Sequence, residues 1–377
     1  MVGKKKITTT KIGFCQPGMG WSWPQLRDFW VEGEKLGFDS GTMMDNLIYT
    51  GPPNDAVRPT FETWSVLPAL AEVTSRIRIG PQVTPCLRRA PALFAKMTTQ
   101  VDHISDGRVY LGLGVGDMPK YHLPWGMPFP AKISERAKIL REEIAVMKLM
   151  WNEDKANFQG NYYHLDDAEM IPKPIQKGGP PLYLGLAFGA KLMPRLAVEL
   201  CDGVLLYNGS DRAVEDLLEI IKGFCEEAGR DFSSFYKGLT VNVHLLDNED
   251  DRGYLDLEAE GYIFPSLPDG APPRELIPEW NTVTLAEQHA FMKVLFASGE
   301  LLDECNMGLP EGVVPPREGY NMTSMPNRFV IGTSEQVVEE LTQIAEMGLD
   351  EIYIQGLDSL EELQKFGTEV LPKLRGG

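Results

Sequence analysis

No run of 18 apolar residues occurs in this 377-residue chain, so no segment reads as a membrane-spanning helix. Met1 to Lys11 is basic and threonine-rich without an apolar stretch, which suits a ragged end and not a secretion signal. Cysteine is sparse. Cys15, Cys86, Cys201, Cys225 and Cys305 are scattered, odd in number and never spaced C-x-x-C, so neither a disulfide framework nor a zinc site is indicated, and a reducing cytoplasm is expected. The histidines, at 103, 122, 164, 244 and 289, show no H-x-x-x-H spacing, and no metal is expected. Positive charge is also short, with 36 Lys and Arg against 54 Asp and Glu, a net charge of −18. A field of that sign repels nucleic acid and anionic lipid; an anionic ligand would need a local basic or backbone N–H site.

What is present is ordinary globular material: 43% hydrophobic and 24% charged residues, enough for a large core. Short β-rich runs at 11–17, 40–45, 76–84, 108–116, 181–187, 203–207, 235–246 and 351–355 alternate with helical patterns. Helices are expected over 24–36 (stopped by Gly37), 61–73, 91–104, 134–151 (capped by Ser134), 191–200, 211–229, 285–297 and 334–347. Strands joined by helices pair in parallel. Eight such units predict a single α/β domain over 1–377, a (β/α)₈ TIM barrel, with a doubly wound sheet as the alternative. Two stretches interrupt the rhythm as insertions after strands four and seven. Residues 152–180 suit a loop or small hairpin; residues 247–330, Pro-rich, read as irregular apart from one helix and suit a lid or a dimer element.

Barrel enzymes build their sites at the C-terminal ends of the strands. That rule selects Gln16 to Trp23, Asp45 and Asn46, Gln82 to Thr84, Gly114 to Lys120, Gly185 to Lys191, Tyr207 with Asn208, and His244. The Gly112-x-Gly114-x-Gly116 run is not a dinucleotide fingerprint, because Asp117 stands where the third glycine belongs. Its glycines mark close backbone approach, either to a flat ligand or in tight barrel packing. Gly185 to Lys191 offers helix-start N–H groups for a phosphate, with Lys191 and Arg195 adding charge, or is an ordinary turn. Arg88 and Arg89 read as solvated. Trp21, Trp23, Tyr49, Trp125, Tyr207, Tyr262 and Phe264 suit a substrate pocket or loop packing.

Several motifs together resemble one family. Glu32 followed by Gly37-Phe38-Asp39 and a strand running to Asp45, then Ile79-Gly80 with Val83-Thr84, Arg88 and Ala90-Pro91, are similar to its early segments. Asp106-Gly107-Arg108 with Gly112 to Asp117, Lys173 to Gln176 with Pro181 to Gly185, Cys201-Asp202-Gly203, and Ile331-Gly332-Thr333 with Gly348-Leu349-Asp350 follow in the same order. The chain thereby resembles the luciferase-like superfamily, in the branch that uses the deazaflavin coenzyme F420 and includes methylenetetrahydromethanopterin reductases, dehydrogenases and ketoreductases. The resemblance implies a hydride transfer between coenzyme F420 and a small organic substrate, either an alcohol/carbonyl pair or a methylene carrier. It also implies a homodimer. An FMN-dependent monooxygenase on the same fold is the alternative, and a non-enzymatic flavin binder a third reading.

By the same resemblance, a non-proline cis peptide at Gln82–Val83 would support the ring, with Asp45, Asn46 and Thr84 beside it. Val115 and Gly116 would approach it through backbone, Lys120 would add a polar contact, and Ala187, Phe188, Gly189, Ala190 and Lys191 would line the phosphate. Asp45 and Asp117 are the expected catalytic residues, Asp117 by the reactive edge as first candidate for the proton donor, with His122 and His244 as alternates. Two positions depart from the family pattern: Asn46, where relatives often carry a histidine, and Ala187-Phe188, where they carry a small-residue phosphate loop.

Overall fold

The computed structural model describes residues 9–15, 18–51, 56–116, 119–187, 191–207, 210–248 and 328–376. Nine strands and one further edge strand form a parallel sheet. Strand β1 (Lys11–Cys15) lies between β2 (Ser40–Met43) and the last strand, β14 (Glu351–Gln355). β2 pairs β5 (Arg78–Pro81), and β14 pairs β12 (Tyr236–Leu245). From β12 the order continues through β11 (Gly203–Leu206), β10 (Leu182–Leu186) and β7 (Leu111–Gly114) to β6 (Thr84–Pro85). Because β5 and β6 are consecutive in the chain, the two ends of this order meet. Ile79 bridges Val109, its N–H donates to the Arg108 carbonyl at 3.1 Å, and Tyr110 N–H donates back at 3.0 Å. The expected barrel is therefore what forms, with β5 and β6 sharing one strand position, and an open doubly wound sheet is excluded.

Helices cover the outside because each presents one apolar stripe. Helix α1 (Trp23–Leu36) starts where Ser22 N–H donates to Gln25 Oε1 at 2.9 Å and stops where Gly37 turns left-handed at φ 98°. It packs on β1 through Phe14, whose ring meets Phe29, Trp30 and Phe38 edge-on at 5.2 to 5.5 Å. Helices α2 (Thr63–Glu72), α3 (Pro91–Ile104), α4 (Ile133–Asn152), α5 (Leu192–Leu200) and α6 (Asp211–Glu227) follow their strands in turn.

One segment takes a form that was expected and two differ. Residues 156–168 make the hairpin β8 (Ala156–Gln159) and β9 (His164–Ala168), and β3 (Tyr49–Gly51) pairs β4 (Ala56–Arg58) in a loop without a strong strand pattern. β13 (Arg328–Gly332) is a strand at the end of a stretch that reads as irregular. It exists because β12 has ten residues: its first part bonds β11, its middle β14, and its last five, Val241 to Leu245, bond β13. Past the capped α7 (Ser334–Ala345), the chain ends in α8 (Leu360–Glu369) and α9 (Leu371–Arg375). Most of the second insertion lies outside the described residues.

The barrel's lower end is closed by a polar plug. Buried Glu351 accepts from Ser40 Oγ, from Tyr236 OH at 2.5 Å and from Tyr353 OH at 3.2 Å, and Arg78 Nη1 stands 3.7 Å away. Arg78 also donates to Tyr183 OH at 2.8 Å and lies 5.0 Å over the Tyr110 ring. Burial first, and Glu351 second, push the Tyr236 and Tyr353 hydroxyls well above their usual range.

Candidate active site

The upper ends of the strands carry the candidate residues. Asp45, two residues past β2, is buried, and the Arg89 guanidinium grips it at both oxygens: Nη1 to Oδ2 at 2.7 Å and Nη2 to Oδ1 at 3.2 Å. Arg88 Nη1 lies 3.5 Å from Oδ1 and donates to the Asp45 carbonyl. The reading of Arg88 and Arg89 as solvated is thus corrected: Arg88 is buried and Arg89 largely so, because a carboxylate drawn inside needs a cation. Arg89 also donates to Glu62, which caps α2 by accepting from Ser65 N–H at 2.7 Å. Burial works to raise the Glu62 carboxyl, but the Ser65 hydroxyl and Arg89 outweigh it and hold the group below its usual value. Burial likewise opposes the Arg89 cation, and Asp45 and Glu62 outweigh it, so its pKa is raised.

At the joint of β5 and β6, Gln82–Val83 is cis, as the resemblance implied. Gln82 Nε2 donates to Thr240 Oγ1 at 2.5 Å, while its Oε1 is buried with no hydrogen-bond partner among the described residues. Thr84 Oγ1 is taken up by Trp64 Nε1 at 2.8 Å. Val83 points at the glycines. A Cβ at Gly114 would stand 2.8 Å from Val83 Cγ2, one at Gly185 2.9 Å from Cγ1, and one at Gly112 3.2 Å from Cγ1. Of the two readings of the glycine run, barrel packing is the one found for Gly112 and Gly114: a Cβ at Gly112 would meet the Pro81 carbonyl at 2.3 Å and Leu205 at 2.8 Å, and one at Gly114 would meet Val83.

Val115 and Gly116, past β7, are half-buried, and both carbonyls are held by Arg136 from α4, through Nε at 3.0 Å and Nη2 at 3.4 Å. Gly116 has φ 77°, and a Cβ there would meet Phe129 at 3.2 Å and His122 at 3.4 Å. His122 is fully buried with its ring centroid 4.8 Å from that of Phe129, whereas His244 is half-buried at the end of β12. Asn46 is half-buried beside Asp45. Ala187 is half-buried and Lys191 exposed at the start of α5. Arg195 does not face that loop. It pairs with Glu227 at 2.9 Å and lies 4.4 Å over Phe224, both on α6. Trp21 packs edge-on against Phe29 at 5.1 Å, which is loop packing, whereas Trp125 is exposed. Gln16, Asp117, Phe188, Gly189, Ala190, Asn208, Tyr262 and Phe264 lie outside the described residues, as does the side chain of Lys120.

Sequence reasoning missed two side chains on α4, Arg136 and Glu143, both buried. The signal was available: they are seven residues apart on a helix, at positions where the pattern otherwise places apolar residues. Among the described residues no group of His, Cys, Asp and Glu could hold a metal ion, and no helix is long and apolar enough to cross a membrane.

Residues 8–351 match the family described as luciferase-like monooxygenase. The chain belongs to the luciferase-like family. It is 25% identical over 374 residues, 97% of its own length and 98% of the relative's, to the F420-dependent glucose-6-phosphate dehydrogenase of Segniliparus rotundus. It is 26% identical over 319 residues, 83% of its length and 87% of the relative's, to the 5,10-methylenetetrahydromethanopterin reductase of Archaeoglobus fulgidus. Among solved luciferase-like structures, an F420-dependent secondary alcohol dehydrogenase in complex with an F420–acetone adduct superposes with a TM-score of 0.70 at 19% identity, covering 98% of this chain and all of the other.

Proposed function

We propose that this luciferase-like protein is a coenzyme F420-dependent oxidoreductase acting on a small alcohol or carbonyl compound, or on a methylene carrier. The carrying observation is the near end-to-end similarity to a relative that is an F420-dependent dehydrogenase. The barrel mouth fits the cofactor: a flat ring with amide-like polar edges needs an apolar floor and a fixed acceptor. Val83 stands beside Gln82 Oε1, a buried oxygen with no protein partner among the described residues. Gln82, Val83, Asp45, Asn46, Val115 and Gly116 would hold the ring, with Ala187 to Lys191 at the phosphate. Bound there, the deazaflavin supplies hydride transfer, which no side chain performs.

The chain's own residues then orient and exclude. Arg88 and Arg89 with Asp45 and Glu62 keep a fixed, charge-balanced wall, and Arg136 fixes the carbonyls of Val115 and Gly116. Residue 46, an asparagine, carries no titratable proton, so Asp117 is assigned to hold or take the proton at the substrate oxygen. A methylene substrate needs no such acid. We also assign the protein to the cytoplasm as a homodimer. Leu93 and Ile104 on α3, and Ile171 and Ile175 on the segment beside it, are exposed apolar side chains that support association, which light scattering would test.

Equilibrium binding of coenzyme F420 and of FMN, read by fluorescence, tests the proposal. Tight F420 binding with weak FMN binding is expected, followed by turnover of one member of a panel holding glucose 6-phosphate, secondary alcohols and methylenetetrahydromethanopterin. Preferential FMN binding with oxygen consumption would replace this reading with that of a monooxygenase.

A further inference from the structure

The residues proposed for the cofactor stand at the ends of β2, β5, β6, β7 and β10. The strands β11, β12, β13 and β14 build the other half of the mouth. On β12 the lumen face is fixed by contacts. Tyr236 OH donates to Glu351 in the plug, a Cβ at Gly238 would stand 2.7 Å from the Tyr353 ring, and Thr240 Oγ1 accepts from Gln82 across the lumen. Leu239, Val241 and Val243, between them, lie in the hydrophobic core. The register with β14 and then β13 runs unbroken from Gly238 to Leu245, so alternation puts Asn242 and His244 on the lumen face, nearer the mouth. In the barrel order β12 lies four strand positions from β5 one way and four from β6 the other, so Asn242 stands across the mouth from Val83.

Asn242 is only 6% exposed, yet its side-chain amide makes no hydrogen bond among the described residues. A buried amide without a partner is costly, and a ligand oxygen would remove that cost. In register beside it stand Gln355 on β14 and Phe329 on β13. Gln355 Oε1 accepts from Tyr207 OH at 3.4 Å, while its amide N–H groups make no hydrogen bond among the described residues. Residues in register on neighbouring strands lie about 4.8 Å apart, a span that two adjacent oxygens of one small molecule can bridge. Both amides are neutral, and the cations on these strands face outward: Lys237 pairs with Asp350, and Arg328 with Asp211 and Glu340. A phosphate seated against the two amides would lack the counter-charge that burial demands.

We propose that Asn242 and Gln355 form a substrate subsite for two uncharged neighbouring oxygens, as in a vicinal diol or a hydroxy ketone, and not for a phosphate. The proposal rests on the oxidoreductase reading and narrows its substrate: the alcohol or carbonyl that exchanges the hydride carries a second oxygen beside the first.

Glycerol and glycerol 3-phosphate carry a vicinal diol without and with a phosphate, and 2-propanol carries a single oxygen. Their binding to wild type, Asn242→Leu and Gln355→Met is followed by ligand-detected NMR, with coenzyme F420 bound and without it, and F420 affinity is measured in parallel by fluorescence. Wild type should bind glycerol more tightly than 2-propanol. Asn242→Leu should weaken glycerol and glycerol 3-phosphate by the same factor, about tenfold for the lost hydrogen bonds, and leave F420 affinity unchanged. Gln355→Met, at a half-buried position, should act in the same direction and keeps the test decisive if Asn242→Leu does not fold. The proposal is overturned if wild type binds neither diol, or if the variants bind glycerol as wild type does. A loss confined to glycerol 3-phosphate would mean that the amides hold a phosphate, and a loss of F420 affinity with glycerol unchanged would mean that they serve the cofactor; either overturns it. If wild type does not bind coenzyme F420, the oxidoreductase reading fails instead, and the cofactor-free titrations still decide the subsite.

Discussion

Val83 occupies the room that a side chain at Gly114 would need, with its Cγ2 2.8 Å from the place of the missing Cβ. The two residues are 31 apart in sequence and belong to neighbouring strand positions, so each limits what the other can be. Gly114→Ala should therefore destabilise the protein by about 1–3 kcal/mol, the usual cost of overpacking. Val83→Ala opens the space, and the double variant Val83→Ala/Gly114→Ala should be more stable than the sum of the two single effects predicts. Urea denaturation of the four proteins checks this, and strict additivity would refute the contact.

The Asp45–Arg89 pair is buried on the aspartate side and nearly so on the arginine side, with side-chain exposures of 0% and 11%. Removing Arg89 leaves the buried Asp45 with Arg88 as its remaining cation, at the longer distance of 3.5 Å. Arg89→Met should cost about 3–5 kcal/mol, and adding Asp45→Asn should recover part of it. The measurement is a double-mutant cycle in denaturant.

Glu143 makes stability depend on pH in a definite direction. Its carboxyl is raised from 4.5 to about 8. Below pH 4.5 the folded and unfolded chains both hold the proton and the group contributes no slope. Between those values the folded chain keeps the proton that the unfolded chain releases. Stability therefore falls as pH rises, by at most about 1.4 kcal/mol per unit from this group. Above about pH 8 both forms are ionised and the slope ends. Glu143→Gln lacks this loss, so its stability relative to wild type should climb from pH 5 to 8 and then level off. Unfolding at four pH values tests the shape, and a difference that does not vary with pH would contradict the assignment.

The barrel base offers a test that leaves the mouth alone. Glu351→Gln keeps acceptor capacity for Ser40 and Tyr236 but strips Arg78 of its buried counter-charge, at an expected cost of about 3 kcal/mol. Coenzyme F420 affinity of the folded variant should match wild type, since the plug sits at the opposite end of the strands. In the wild-type protein, Tyr236 and Tyr353 should remain protonated in alkali until the fold opens, which ultraviolet absorbance of phenolate follows.

The barrel was legible because alternation of strand and helix is a local signal, repeated eight times and punctuated by stops such as Gly37 and Gly348. The site wall was not. Asp45 and Arg89 are 44 residues apart, and nothing in the run Leu87-Arg88-Arg89 reveals a buried carboxylate opposite. Arg195 misled for the same reason, since its position at a helix start suggested a phosphate while its partners, Glu227 and Phe224, lie on the next helix. Strand β13 escaped because its existence depends on the surplus length of β12 and not on any strong pattern of its own.

That surplus length has an evolutionary consequence. Residue 248 follows the upper end of β12, and residue 328 resumes beside Val241, so the intervening 79 positions are moored at both ends on the catalytic half of one strand. Such an attachment makes the segment a replaceable cassette. It can be lengthened, shortened or exchanged between descendants without touching the register of the barrel.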